Sequence, residues 1–563
     1  MSSKNNKFAK RFRLLAGLTV LTPVLFMAWP SPAPTDSYIV QGHDLTTVAA
    51  AVRTAGGTIT HELGLIRAVA ARLTEAQRRA LRATPGIERV VENRTVTSAA
   101  RPGDGGTALE DTSHTTLIGA DRLHAQGLTG AGVTLAVLDT GFFNQNSLSR
   151  NTRRKERILA QYDALAGAPV YTWAETDDSG HGAHVAGIAQ NSQQTRKNGL
   201  YRGVAPDANL VVVRAFDAEG KGTYADVIRG LDWLVANQTT YQVRVLNLSF
   251  SAPPQSHYWD DPLNQAVMKV WQAGIVVVAS AGNTGPAPMT VGVPGNVPYV
   301  ITVGAMTDNH TPADPSDDRL ATFSAAGPTV EGLVKPEVVA PGGHVVAPMS
   351  DQSRIALEHP EFYNNESFYF TMSGTSQAAA VVSGAAALLL QADPSLTPDD
   401  VKCRLMASAR AARTADGALA FSVFQQGAGL INAYDAVYRT ERGCANRGMD
   451  LAADLAGQWH YGGFARRDEA GHYYIEGPNG EQMHVWNGTF LWGDTFLWRD
   501  TFLWGDTFLW RDTFLWGDTF LWRDTFLWRD TFLWGDTFLW RDGALSSAAL
   551  AGPVGINVWV PQE

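Results

Sequence analysis

Four short stretches of the chain place chemically capable side chains beside small neighbours that leave room for a substrate. "LAVLDTGF" (135–142) ends an apolar run on Asp139. "SGHGAHVAG" (179–187) sets His181 between glycines, and "MSGTSQAAAVVSGAAALLL" (372–390) sets Ser376 just before a helix-forming run. "SAGN" (280–283) closes another apolar run with Asn283. A serine is a weak nucleophile until a base takes its proton, and a histidine base needs a partner that fixes its tautomer. His181 and Ser376 both fall at expected helix starts, where unpaired backbone N–H groups favour an oxyanion.

A second use of Asp139 has to be weighed. Asp139-Thr140-Gly141 and Asp178-Ser179-Gly180 repeat one pattern, as two carboxylates sharing a proton would require. That dyad needs two similar all-β lobes, whereas these copies are close in sequence and their surroundings alternate strands with helices. "GTSQA" could also be the nucleophile elbow of an α/β-hydrolase, with His472 or His484 downstream as base. That arrangement leaves "SGHGAHVAG" and "SAGN" without a purpose. The combination of Asp139, His181, Ser376 and Asn283 is the economical one.

The elements that must position these residues follow from the apolar pattern. "VTLAVLD", "NLVVVRAF", "VRVLNLSF", "GIVVVASAG" and "YVITVGA" are near-continuous Val-rich runs separated by helical stretches. Such runs suit parallel strands covered on both faces, so residues 115–445 are expected to form an α/β doubly wound, mostly parallel sheet. In such sheets ligands bind beyond the carboxyl ends of the strands, where Asp139, Ser249 and Asn283 all lie. Residues 36–99 read instead as a small α+β unit of order β-α-β-β-α-β, with one helix opening at Thr74, a ferredoxin-like split pattern. The stretch "TSAARPGDGGTALEDTSH" between the two is rich in Gly, Ser, Thr and charge, and residues 100–114 are expected to be a cleavable linker.

Four motifs in this order, "AVLDTGF", "SGHGAHVAGI", "SAGN" and "SGTSQAA", resemble those of the subtilisin-like serine proteases, the subtilase family. The resemblance runs over residues 115–440, including "GAGLINAYDAV", and residues 37–97 resemble that family's inhibitory propeptide. It implies Ser376 as nucleophile, His181 as general base and then acid, and Asp139 as the group that orients His181. Asn283 would join the Ser376 backbone N–H as an oxyanion donor. The family binds extended peptides as an added strand, and the matching segments are Gly220-Lys221-Gly222 and Ser249-Phe250-Ser251, with Ala281 and Gly282 nearby. Their small and apolar residues imply a broad, apolar P1 preference. Three positions depart from the family pattern: Gln377 stands where Met is frequent, Ala380 where Pro is usual, and Ala183 where Thr is usual. No cofactor is implied for catalysis, and structural calcium is a family property that the resemblance does not place.

Length and composition set the remaining expectations. The chain has 563 residues, 45% of them hydrophobic, and a formal charge of −10, which argues against a nucleic-acid partner. Residues 1–35 pair a basic start (Lys4, Lys7, Lys10, Arg11, Arg13) with the apolar run "LLAGLTVLTPVLFMAW", as in a secretory signal; an uncleaved anchor is the less favoured reading. Export to an extracellular or cell-surface location makes a Cys403–Cys444 disulfide the expectation. Nine "TFLW[GR]D" hexads fill residues 489–542 of a C-terminal extension, 446–563. An even period keeps Phe, Trp and Asp on one face of a strand, so this tail is expected to be β-rich. It could cap the fold or bind a cell-surface polymer or protein. The function expected is therefore a secreted, monomeric endopeptidase acting on polypeptides and on its own propeptide. The alternative is a surface-binding repeat protein whose protease domain serves only self-processing.

Overall fold

The five Val-rich runs become the strands Thr134–Asp139, Asn209–Arg214, Val243–Leu248, Val276–Ser280 and Ile301–Thr307. The computed structural model describes residues 34–98, 101–102 and 114–488, apart from 197, 310, 312–316, 365–367 and 415. The leader, most of the linker and the hexads therefore lie outside the described residues. The strands form a nine-stranded sheet in the order Arg319–Leu320, Ile301–Thr307, Val276–Ser280, Val243–Leu248, Thr134–Asp139, Asn209–Arg214, Ile158–Asp163 and Ala168–Val170, with Val338–Pro341 also on Ile301–Thr307. The central pairs are parallel, Val137 lying beside Val212 on one side and Asn247 on the other. Every residue of Thr134–Asp139 is buried, as a strand covered on both faces requires.

Two helix pairs cover this sheet. His181–Gln190 packs on Thr375–Ala392, and Tyr224–Ala236 packs on Pro262–Gln272. Thr375–Ala392 has buried residues on every side, which explains why its sequence is apolar throughout rather than amphipathic. The sharp starts come from capping: Thr223 and Thr397 each complete a reciprocal box with the Asp three residues on. Asp261 caps Pro262–Gln272 through the backbone N–H groups of Leu263 and Asn264.

The N-terminal unit has the expected order. Its antiparallel sheet runs Thr58–Leu63, Ala68–Leu73, Asp36–Gly42, Ile87–Glu92, with helices Leu45–Thr54 and Glu75–Arg82. Thr74 opens the second helix with a capping box to Gln77. One sheet face makes a private core of Val40, Val48, Val52, Leu73 and Val90. The other, through Ile39, Leu63, Ile66 and Ala70, joins the core of the large unit. The junction is polar at its rim: Gln41 Nε2 donates to Gln265 Oε1 at 2.7 Å, Gly64 N–H to Asp232 Oδ2 at 2.9 Å, and Arg89 pairs with Asp260 at 2.6 Å. A short strand, Thr95–Ser98, then leaves this unit and enters the large one.

Buried backbone carbonyls that converge in the large unit meet the chain's own cations. Lys335 and Lys402 share Glu337 at 2.6 and 2.9 Å, and Arg157 donates to the carbonyls of Gln190, Arg150 and Pro206. These contacts supply the pairing that a buried charge needs.

Cys403 and Cys444 are bonded across 41 residues, tying helix Pro398–Ser408 to the chain that follows it. Past the bridge the chain continues to pack on the large unit. Tyr258 and Tyr299 donate to the buried Asp454 at 2.7 and 2.9 Å. The antiparallel sheet Ala465–Arg467, Tyr473–Glu476, Gln482–Trp486 buries Trp486 against Phe424. In the chain-entropy picture a 41-residue loop makes the bridge worth about 4 kcal/mol. Thiol titration of denatured, unreduced protein is expected to find no free thiol, and reduction is expected to lower the melting temperature. Two titratable thiols would contradict the pairing.

Candidate active site

Asp139 is the last residue of its strand, and its Oδ1 lies 2.6 Å from His181 Nδ1. The Thr140 backbone N–H also donates to that oxygen, at 2.8 Å. Both side chains are essentially fully buried. The carboxylate thus holds the Nδ1–H tautomer, which turns Nε2 outward as a free lone pair. Nε2 is buried and has no hydrogen-bond partner among the described residues.

The helix that carries His181 starts where it does because of a residue the sequence reading missed. Asp177 is buried, and its carboxylate accepts from Gly180 N–H (2.8 Å), Ala183 N–H (2.7 Å) and the Thr140 hydroxyl (2.7 Å). The same hydroxyl oxygen accepts from Gly182 N–H at 2.8 Å. Asp177 therefore ties the first turn of His181–Gln190 to the loop that follows Asp139. Burial pushes its carboxyl up, while the Thr140, Ala183 and Gly180 donors hold it down. The available signal was an acid placed four residues before His181, at helix-cap distance. Small residues are obligatory here: Gly180 has φ of +99°, and a Cβ on Gly182 would sit 2.7 Å from the Gly141 carbonyl oxygen.

Ser376 is the second residue of Thr375–Ala392, at the end where backbone N–H groups are unpaired. Its Oγ donates to the Ser249 carbonyl at 3.1 Å, and Ser249 Oγ donates back to the Ser376 carbonyl at 3.0 Å. Asn283 is turned by its neighbour. Its Oδ1 accepts from both the backbone N–H (2.9 Å) and the hydroxyl (2.8 Å) of Thr375. That leaves Asn283 Nδ2 as a buried donor without a partner among the described residues. Thr375, a second residue not anticipated, therefore aims the amide. The starts of the His181 and Ser376 helices meet through Gln377 and His184, whose side-chain nitrogens are 3.4 Å apart.

Both segments expected to bind substrate are engaged by the chain itself. Thr95–Ser98 lies as a middle strand, antiparallel to Lys221–Thr223 on one side and Phe250–Ser251 on the other. Gly222 pairs with Val96, Lys221 with Thr97, and Ser251 with Thr97 on the opposite edge. Val96 is fully buried in one apolar cluster with Phe216, Tyr224 and Phe250. Gly220 is the turn residue before this edge, at φ of +66°. Ala281 is buried with Val291 and Ala325, and Gly282 N–H donates to Thr375 Oγ at 3.2 Å. Just before Ser376 in the sequence, Met372–Ser373 pairs with Arg101–Pro102.

The other histidines offered as bases sit elsewhere, His472 beside Asp468 in the C-terminal sheet region and His484 within Gln482–Trp486. Among the described residues no group of three or more His, Cys, Asp or Glu is placed to hold a metal ion.

Comparison with known proteins agrees with this geometry. The profile of the Subtilase family matches residues 130–429. Serine protease AprX of Bacillus subtilis is 41% identical over 285 residues, which cover 50% of this chain and 61% of that protein. Subtilisin DY of Bacillus licheniformis is 32% identical over 318 residues, covering 56% of this chain and 94% of that protein. Among solved structures, fervidolysin of Fervidobacterium pennivorans, a keratinolytic enzyme related to subtilisin, superimposes with a TM-score of 0.57. It is 21% identical and the match covers 72% of this chain and 61% of that one, so it speaks to the fold alone. The chain belongs to the subtilase family of serine endopeptidases.

Proposed function

We propose that the chain is an exported, monomeric endopeptidase that matures itself, with Ser376 as nucleophile, His181 as proton carrier and Asp139 as its orienter. The 2.6 Å contact between Asp139 and His181 carries this reading, because it leaves Nε2 buried, unpartnered and ready to take a proton. In the first half-reaction His181 takes the Ser376 proton as Oγ attacks the peptide carbonyl. It then returns that proton to the leaving amine, and water repeats the sequence on the acyl-enzyme. The Asn283 amide and the Ser376 backbone N–H receive the negative oxygen. Asp139 stays ionised and stabilises the imidazolium that forms.

Residues 36–99 act in this proposal as an inhibitory propeptide. Thr95–Ser98 lies between Lys221–Thr223 and Phe250–Ser251 as a substrate strand would, with Val96 fully buried. Ser98 pairs with Phe250, next to the Ser249 that holds Ser376, and Arg101 pairs with Ser373, three residues before Ser376; Ala99 and Ala100 lie between them in the sequence. The bond cut during maturation is therefore Ala99–Ala100. N-terminal sequencing of the processed protein is expected to read Ala-Arg-Pro-Gly from position 100. A start beyond Gly106 would show that the paired strands do not mark the cleavage site. Export rests on the basic and apolar leader of 1–35. The comparisons lend no support to a repeat protein with a merely self-processing domain; the hexads of 489–542 are assigned here as an accessory segment.

A further inference from the structure

Among the described residues His181 Nε2 and Asn283 Nδ2 are buried without partners, and the proposed mechanism uses both. Gln377 Oε1 is in the same condition. Gln377 follows the nucleophile and is fully buried, so an acceptor left idle there is costly unless substrate relieves it. No step described so far employs it.

The orientation of this amide is settled by His184. Burial pushes His184 down to about 3, so the ring is neutral and has one N–H. Its Nε2 lies 3.0 Å from the Phe370 carbonyl oxygen, which can only accept, so the proton is on Nε2. Nδ1 is then an acceptor, and the Gln377 nitrogen 3.4 Å away donates to it. The oxygen is then the buried acceptor left without a partner among the described residues, on the residue that follows Ser376.

Through His184, Gln377 is connected to the strand that holds the leaving side of the chain. Phe370 belongs to the strand Tyr369–Ser373, which pairs through Met372 and Ser373 with Arg101–Pro102, the chain on the leaving side of Ala99–Ala100. We propose that Gln377 is a further catalytic residue, whose Oε1 accepts a hydrogen bond from the N–H of the leaving amine. This inference rests on the serine-protease reading above. When the tetrahedral intermediate collapses, the acyl carbon–nitrogen bond breaks and the His181 Nε2 proton passes to that nitrogen. The nitrogen already bears its amide hydrogen. Donating it to Oε1 raises the nitrogen's electron density and favours the proton transfer. An ester leaving oxygen carries no hydrogen and gains nothing.

The test compares a peptide amide and an ester with the same acyl part on processed protein. In Gln377→Met, which keeps the volume and removes the oxygen, the amide-to-ester ratio of kcat/KM is expected to fall at least tenfold. Gln377→Leu guards against a packing fault peculiar to Met, and its ratio must fall as well. A merely structural role would move both rates together, so a ratio within twofold of the wild-type value in both variants overturns the proposal. Ser376→Ala separates the two readings: persistence of either activity there would sink the triad itself, whatever Gln377 does.

Discussion

Ser376→Ala is expected to lower peptide hydrolysis on the order of 10⁶-fold, the loss that follows removal of the serine from a subtilisin triad. The reason is local. Ser376 sits fully buried at the start of Thr375–Ala392, held against Ser249, and no second hydroxyl takes its place between His181 and Asn283 in the proposed mechanism. The same substitution is expected to leave residues 36–99 covalently attached, because maturation uses this nucleophile on Ala99–Ala100. Intact-mass analysis reads both effects in one sample once activity has been assayed. A normally processed Ser376→Ala chain, purified free of other proteases, would refute self-maturation.

The second large effect is expected from Asp139→Asn, about 10⁴-fold in kcat, or roughly 5.5 kcal/mol of transition-state stabilisation. Asp139 Oδ1 already accepts from Thr140 N–H and from His181 Nδ1. An amide there can turn its NH₂ toward the ring, and the ring then presents N–H rather than a lone pair at Nε2. Even with the amide oxygen inward, the negative charge opposite the forming imidazolium is gone from a buried contact. Asp177 does not substitute, because its carboxylate is committed to Thr140 and to the helix N–H groups. Steady-state kinetics checks the prediction, with the melting temperature as a control for folding. A loss below tenfold would mean that Asp139 does not set the tautomer.

The parts of this molecule that were legible in the sequence are those fixed by local pattern. Asp139 ends a Val-rich run because the central strand is buried on both faces. His181 and Ser376 stand among small residues because helix starts there crowd against other backbone, as at Gly182. Thr74 announced its helix through a cap that spans three residues. What could not be read depends on long-range contact. "TVTS" (95–98) is short and polar, and only its two partner strands, more than a hundred residues away, make it a strand. Asp177 looked like one more acid in "TDDSG" until the fold brought Thr140 to it. Thr375 and the Gln377–His184 contact are invisible for the same reason. The sheet of 465–486 joins short strands without a clear period, and its Trp486 finds its place only against Phe424.

Every role proposed for the site depends on Ser376 being the activated nucleophile. A fluorophosphonate, which phosphonylates no ordinary serine but captures one beside a base and an oxyanion site with loss of fluoride, tests this directly. Peptide mapping of the processed protein after brief treatment is expected to find one phosphonyl group per chain, on the peptide containing "MSGTSQAAA" at Ser376, with none in His181→Ala. Labelling at a different serine, or equal labelling of Ser376 when His181 is absent, would contradict it.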